Sequence, residues 1–130
     1  MQRVINNKRP KFLNLFILAP KMSATAKVSI MHRLSGVLLF LSVPLLLFLL
    51  ERSLTNPDFY SVLYGITSSP LVKIIYILLI WAFLHHLCAG VRFLFLDVHR
   101  GVDIKTAKNT ARIVFLVSLL ITLVLGVLIW

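Results

Sequence analysis

Three long apolar runs constrain the fold of this chain more than any other feature of its sequence. Residues 34–50, 74–91 and 113–130 contain no Asp, Glu, Lys or Arg and consist mainly of Leu, Ile, Val and Phe. At about 1.5 Å per helical residue, each run covers roughly 25–27 Å, close to the ~30 Å hydrocarbon thickness of a bilayer. Flanking Lys and Arg side chains can span the remaining distance by snorkelling. The sequence therefore predicts three transmembrane helices.

The composition agrees with this prediction. Of the 130 residues, 59% are hydrophobic and 14% are charged, whereas soluble domains contain about 45–50% apolar and ~25% charged residues. We therefore predict an all-α, single integral membrane domain over residues 1–130. Turn and capping residues place its helices at about residues 23–52, 70–99 and 105–130, after a basic, partly extended arm over residues 1–22.

The prolines refine these boundaries. Pro10 and Pro20 are expected to interrupt any helix in the arm, while Pro44 lies inside the first membrane helix, where proline is tolerated. Pro70 suits the first position of the second helix. In the connection before it, residues 59–64 are predicted to form a short interfacial turn.

The distribution of charge predicts the orientation in the membrane. The chain carries 14 Lys and Arg against four Asp and Glu. The segment before the first run is strongly basic, the charges of the first connection cancel, and the second connection is again basic. By the positive-inside rule the N-terminus is cytoplasmic and the C-terminus periplasmic. The charges flank membrane helices and are not interleaved with exposed aromatics, which argues against a nucleic-acid partner and for membrane lipid.

Other classes of protein find little support. Cys88 is the only cysteine, so the chain has no disulfide framework and no thiolate cluster for a metal. The first 25 residues lack the features of a cleavable signal peptide or a transit peptide, and a bacterial inner membrane is the predicted location. No nucleophile with a base, phosphate loop or pair of carboxylates is recognisable, which argues against catalysis by this chain alone.

Polar residues at the start of the first apolar run form the first candidate site. Ser29, His32, Arg33 and Gly36 are spaced i, i+3, i+4 and i+7, so they share one helical face. Such a face can hydrogen-bond a carbonyl or carboxylate of a small ligand. Taken alone, these residues also fit interfacial side chains that reach lipid phosphates.

A second candidate site lies in the second predicted helix. His86, Gly90, Phe93 and Asp97 follow one another along one face. A neutral imidazole in a helix bundle, with a glycine one turn away that lets a flat macrocycle approach, suits axial ligation of heme. The alternative is a hydrogen-bonded histidine in a bundle.

Heme bound by two histidines would need a further ligand. Within this chain it could be His32, His85 or His99, although His99 lies near water; otherwise it comes from another subunit. Arg92 and Asp97 are five residues apart, which is not ideal for a mutual pair, so an interfacial or intersubunit role is open for each.

Together the two sites resemble the cytochrome b membrane-anchor subunit of succinate dehydrogenase, the larger of two small anchors of respiratory complex II. The family pattern begins with Arg-Pro and continues with Ser-Ile-x-His-Arg-x-(Ser or Thr)-Gly, which here are residues 9–10 and 29–36. Its second pattern is His-x-x-x-Gly-(apolar)-Arg-(His or Phe)-x-x-x-Asp, which here is residues 86–97. Phe93 stands where many relatives have His, so no role of that histidine is carried over.

The resemblance implies specific cofactors and site residues. It implies that His86 is an axial ligand to the iron of one heme b, shared with the second anchor subunit, which supplies the other histidine. It also implies that Ser29 and Arg33 line a ubiquinone pocket, with Ile30 against the quinone ring and Arg33 near the heme propionates. His32 lies next to this pocket and is a weaker candidate for it.

The function implied is that of a subunit of a succinate:quinone oxidoreductase. Such an anchor passes electrons from succinate oxidation to ubiquinone, linking the tricarboxylic acid cycle to the respiratory chain. Its expected partners are a second small anchor, an iron-sulfur subunit and a flavoprotein subunit. The alternatives are the anchor of a fumarate reductase, a structural anchor without heme, and a small transporter or channel whose pathway His32, Arg33 and His86 would line.

Overall fold

The computed structural model describes residues 15–130, which form five helices and, over that range, no strand. In chain order the helices are α1 (Leu15–Lys21), α2 (Ala24–Thr55), α3 (Pro57–Thr67), α4 (Pro70–Asp97) and α5 (Ile104–Ile129). Helices α2, α4 and α5 are each long and apolar enough to cross a membrane. The prediction of an all-α chain with three transmembrane helices is therefore confirmed.

Local capping interactions explain where the long helices begin. The Ser23 side chain accepts a hydrogen bond from the backbone N–H of Ala26 at the start of α2 (3.4 Å). The Asp103 carboxylate accepts one from Thr106 N–H at the start of α5 (2.9 Å). These contacts satisfy backbone donors that have no partner within the first helical turn. Pro70 occupies the first turn of α4, where its missing N–H costs nothing.

Helix α4 ends where His99 adopts a left-handed backbone conformation. His99 has φ +58°, its N–H donates to the Leu96 carbonyl (2.9 Å), and the Arg100 N–H donates to the Phe95 carbonyl (2.9 Å). This pair of bonds is the Schellman arrangement that closes helices. Helix α4 therefore ends at Asp97, the earlier of the two ends, Asp97 or His99, that the sequence allows.

Two shorter segments differ from their predictions. The turn expected at residues 59–64 is part of the 11-residue helix α3. Its start is stabilised by Asn56, whose side-chain oxygen accepts hydrogen bonds from the backbone amides of Asp58 and Phe59. Asn followed by Pro favours a turn in sequence, but Asn as N-cap and Pro in the first turn equally favour a helix start.

The predicted arm contains a helix as well. Helix α1 includes Pro20 and ends at the next residue, Lys21. Proline thus closes this short helix instead of preventing it. Residues 1–14, including Pro10, lie outside the described part of the chain.

The packing of the three long helices is that of a membrane protein. Helix α4 contacts both α2 and α5 extensively, while α2 and α5 touch each other less. The buried apolar side chains are small or of medium size, whereas most large Leu, Ile and Phe side chains lie on the outer surface. Small residues let membrane helices approach closely, and the outer apolar surface suits lipid or another membrane subunit. The buried apolar residues are Val28, Ala82, Ala89, Ala111 and Val114.

Arg92 joins α4 to the first turns of α5. Its side chain is buried, with Nε donating to Thr110 Oγ1 (3.1 Å) and Nη2 donating to the backbone oxygen of Ala107 (3.1 Å). Hydrogen bonds from a charged donor satisfy the buried guanidinium. The sequence left the role of Arg92 open. Within the described residues, Arg92 makes a contact between two helices of its own chain.

Candidate functional site

The imidazole of His86 reaches from α4 to the backbone of α2. Its Nδ1 lies 3.0 Å from the carbonyl oxygen of His32. A carbonyl can only accept, so Nδ1 carries the proton and donates it. In a neutral imidazole this leaves the lone pair on Nε2, for which residues 15–130 provide no hydrogen-bond donor. A histidine whose Nδ1–H is held by a backbone carbonyl is oriented to ligate a metal through Nε2.

Gly36 makes room for this ring. A Cβ placed on Gly36 would lie 2.9 Å from Cε1 of His86 and 3.3 Å from its Nδ1. Two carbon atoms that are not bonded to each other cannot approach as closely as 2.9 Å without a clash. Glycine at this position therefore lets the imidazole lie directly against helix α2.

Ser35 also contacts His86 and was not singled out from the sequence. Its side chain is 3% exposed, and its Oγ lies 3.4 Å from His86 Nδ1 and 3.0 Å from the His32 carbonyl oxygen. The sequence signal was a hydroxyl residue directly before a glycine in an apolar run. That signal is weak, because a serine that bonds only its own helix backbone has the same pattern.

His32 and His86 stack on each other. Their ring centroids are 4.1 Å apart and their planes differ by 9°. Phe93 approaches His32 edge-on at 5.1 Å, and a Cβ on Gly90 would lie 3.6 Å from Nε2 of His32. Part of each predicted face therefore takes part in one contact: His32 and Gly36 on α2 meet residues 86, 90 and 93 on α4.

The other predicted residues of α2 lie on the surface of this chain. Arg33 is exposed, Ile30 is 46% exposed, and Ser29 is half-buried. Among the described residues, neither Ser29 nor Arg33 has a side-chain hydrogen bond or ion pair. Ile30 borders a cavity of about 350 Å³ that Met31 and Phe115 also line. The structure thus brings His32 and His86 together, while Arg33 is exposed and Ser29 is half-buried.

The remaining histidines of the candidate set have different surroundings. His85 is fully buried, with the rings of Trp81 and Phe115 at 5.3 and 4.9 Å. Neither ring nitrogen of His85 has a hydrogen-bond partner within residues 15–130. His99 is exposed beyond the end of α4.

Comparison with known proteins identifies the family. A family model described as succinate dehydrogenase/fumarate reductase transmembrane subunit matches residues 5–125. The chain belongs to this family. It is 34% identical over 127 residues to the succinate dehydrogenase cytochrome b556 subunit of Rickettsia prowazekii, covering 98% of each chain. It is 36% identical over 123 residues to the Rickettsia bellii subunit, covering 95% of this chain and 94% of that one.

A relative from another genus gives the same result. The succinate dehydrogenase cytochrome b556 subunit of Coxiella burnetii is 33% identical over 127 residues, covering 97% of this chain and 100% of the relative. The resemblance inferred from the two motifs is therefore confirmed over nearly the whole chain. Within this family the chain is a multi-pass membrane subunit, and the cytochrome b556 name of its relatives implies heme b.

The donor set of this chain fits a heme better than a bare metal ion. In the described part of the chain, no group of three or more His, Cys, Asp or Glu residues could hold an ion. Heme iron takes four ligands from its macrocycle and needs only axial ligands from protein. His86, whose Nδ1 is held by the His32 carbonyl, is the residue that would hold such a heme.

Proposed function

We propose that this chain is the heme b- and ubiquinone-binding anchor of a succinate dehydrogenase, which passes electrons from succinate oxidation to ubiquinone. The observation that carries the proposal is the hydrogen bond from His86 Nδ1 to the His32 carbonyl, which leaves Nε2 free for the heme iron. The heme, when bound, supplies one-electron chemistry that side chains lack. The residues of this chain orient the ligand and shape the surface next to it.

The other axial ligand is proposed to come from the second anchor subunit. The His32 ring is stacked face to face on the His86 ring, with the centroids 4.1 Å apart, so these two imidazoles could not hold one iron between them. His85 is enclosed in the core, and His99 is exposed past the helix end. None of the three is placed to ligate the same iron as His86, which supports a heme shared between subunits.

The ubiquinone site is proposed to involve Ser29, Arg33 and Ile30, with His32 next to them. Quinone reduction develops negative charge on an oxygen, which a guanidinium and a hydroxyl can stabilise. The family resemblance also supports a pairing of the Arg33 cation with a heme propionate. Because Arg33 is exposed in this chain, the pocket would be completed by neighbouring subunits.

The partners and membrane orientation follow from the same assignment. We infer a complex with a second small anchor, an iron-sulfur subunit and a flavoprotein subunit, in a bacterial inner membrane. The basic N-terminal side would be cytoplasmic, where it can meet soluble subunits and anionic lipid. The family description includes fumarate reductase, so quinol oxidation coupled to fumarate reduction is the alternative direction.

A transporter or channel is less well supported by the described helices. Their buried polar side chains other than His85 have hydrogen-bond partners within the bundle. These side chains are Ser35, Arg92, Ser118 and Thr122.

The test is a reduced-minus-oxidised visible spectrum of the detergent-extracted complex, isolated through this chain, for the wild type and His86→Leu. A matched control is His99→Asn, because Asn tolerates the left-handed backbone at residue 99. We expect a b-type band in the wild type and His99→Asn and its loss in His86→Leu. A wild-type complex without such a band would contradict the proposal.

A further inference from the structure

The carbonyl oxygen of His32 is shared by two side chains. His86 Nδ1 and Ser35 Oγ each lie 3.0 Å from it. Because a carbonyl oxygen only accepts, both side chains donate to it. In an α-helix the same oxygen is also the acceptor for the N–H of Gly36, four residues on. Three donors therefore converge on an oxygen that has two lone pairs.

Competition for this oxygen weakens each of the bonds. When Ser35 donates its proton to the carbonyl, less electron density is available to the Nδ1–H of His86. The Ser35 oxygen also lies 3.4 Å from Nδ1, which is too long for a strong second acceptor. The main effect of the Ser35 hydroxyl on His86 is thus to make the His32 carbonyl a weaker hydrogen-bond acceptor for the imidazole.

The strength of this bond matters for a metal ligand. A histidine whose Nδ1–H is strongly hydrogen-bonded is a more basic ligand, and such outer contacts tune the metal that the histidine binds. A more basic ligand favours the oxidised iron and lowers its reduction potential. A weaker hydrogen bond from Nδ1–H therefore raises the reduction potential of the iron.

We propose that Ser35 is a positioning residue that raises the heme reduction potential by sharing the His32 carbonyl with the imidazole of His86. The inference rests on the proposed ligation of heme by His86. Burial of Ser35, at 3% exposure, keeps the hydroxyl in place, since little water can reach it to replace the bond. Ser35 acts through His86 and is not itself a ligand.

The chain offers a close control for this residue. Ser42 is also on α2, and its Oγ donates to the backbone oxygen three residues earlier, Leu39, at 2.8 Å. That bond has the same type and direction as the bond of Ser35, but Ser42 has no hydrogen bond to His86. Replacing Ser42 by Ala therefore removes the same kind of hydrogen bond from the helix but leaves the hydrogen bond of His86 unchanged.

The experiment is a redox titration of the b-type band in the intact complex, comparing wild type with Ser35→Ala, Ser35→Thr and Ser42→Ala. We expect a more negative midpoint potential in Ser35→Ala and values near wild type in Ser35→Thr, which keeps a hydroxyl, and in Ser42→Ala. If Ser35→Ala lowers heme content, Ser35→Cys, with its weaker donor, should give a smaller shift in the same direction.

Three outcomes would overturn the proposal, and the third differs from the first two in what it removes. Equal potentials in Ser35→Ala and Ser42→Ala, or a more positive potential in Ser35→Ala, would remove the role of Ser35 and leave heme ligation by His86 intact. Absence of heme from the wild-type complex would remove the proposed function together with this inference.

Discussion

Gly36 on α2 and His86 on α4 approach so closely that a Cβ at residue 36 would lie 2.9 Å from Cε1 of the imidazole. The same imidazole is held by the His32 carbonyl through Nδ1. The ring therefore cannot move away from α2 without losing that bond, so the glycine and the hydrogen bond act together. This geometry makes the distance between α2 and α4 critical for the proposed heme ligand.

Replacing Gly36 by Ala should displace the His86 ring or separate the two helices. We expect a lower ratio of heme to protein in the purified complex, measured by pyridine hemochrome absorbance. Gly65→Ala is the matched control, because a Cβ on Gly65 in α3 meets no atom within 4 Å. Full heme content in Gly36→Ala would show that the close approach is not required.

His85→Leu should keep the heme, in contrast to His86→Leu. A buried imidazole without hydrogen bonds costs about 1–3 kcal/mol per unsatisfied group, and Leu fills a similar volume. We therefore expect the His85→Leu complex to be as stable as wild type or more stable, measured as its thermal unfolding midpoint with the b-type band recorded in parallel. Loss of the band would instead place His85 among the residues that the heme needs.

Arg92→Lys should loosen α5 from α4. Lysine is a single point donor and cannot reproduce the two bonds from Nε and Nη2 to Thr110 and Ala107. Hydrogen bonds to charged groups contribute about 1.5–3 kcal/mol each, so the thermal unfolding midpoint should fall measurably. Arg112→Lys, at an exposed position on α5, should leave it unchanged. Equal unfolding midpoints for the two variants would show that the hydrogen bonds of Arg92 to α5 do not stabilise the protein.

Asp103 should make the start of α5 sensitive to acid. Hydrogen bonds from the backbone and side chain of Thr106 hold the pKa of the Asp103 carboxyl below its ordinary value. A lowered pKa in the folded state means that the stabilisation is present above the unfolded pKa and is lost as the pH falls through the folded one.

Amide hydrogen exchange at Thr106 measures this effect. We expect its protection to fall at acid pH in the wild type and to be low at every pH in Asp103→Ala. Asp103→Asn should retain the cap without the pH dependence, because Asn caps helices as well as Asp does and does not titrate. The same acid response in Asp103→Asn would rule out the carboxyl as its source.

Arg33→Leu should impair quinone reduction while heme remains bound. Loss of one charge-assisted hydrogen bond, about 1.5–3 kcal/mol, corresponds to a roughly 10- to 100-fold lower rate. Succinate:quinone activity and the b-type band would be measured on the same preparation, with Arg112→Leu as the exposed control. Ser29→Ala should show a smaller loss of the same kind. Unchanged turnover in both variants would remove these residues from the quinone site.

Much of the fold was predictable because it depends on local sequence. Transfer of a helix into a bilayer depends on the summed apolar character of some twenty consecutive residues, which can be read without knowing any neighbour. Helix starts at Ser23 and Pro70 were predictable for the same reason. The start of α3 was not, because Asn56 and Pro57 favour a turn and a helix start alike.

The contacts of the site depended on how the helices pack. His85 and His86 are adjacent in sequence, but one is enclosed by Trp81 and Phe115 and the other meets Gly36 on α2. Helical geometry separates neighbouring side chains by about 100°, so the rotation of α4 about its own axis decides which of the two histidines faces α2.

The sequence by itself determined three membrane helices, their approximate ends and the two polar faces on α2 and α4, because each of these is a property of a continuous segment. Only the tertiary structure decided that Ser35 and His86 share the His32 carbonyl and that Arg92 bonds to α5. These pairings join residues 15 to 54 positions apart in the chain, or use a backbone atom that has no sequence signature. These pairings are fixed by the position of each helix along its neighbour and by its rotation about its own axis. Small residues at the interface permit this close packing, but no single segment of sequence specifies it.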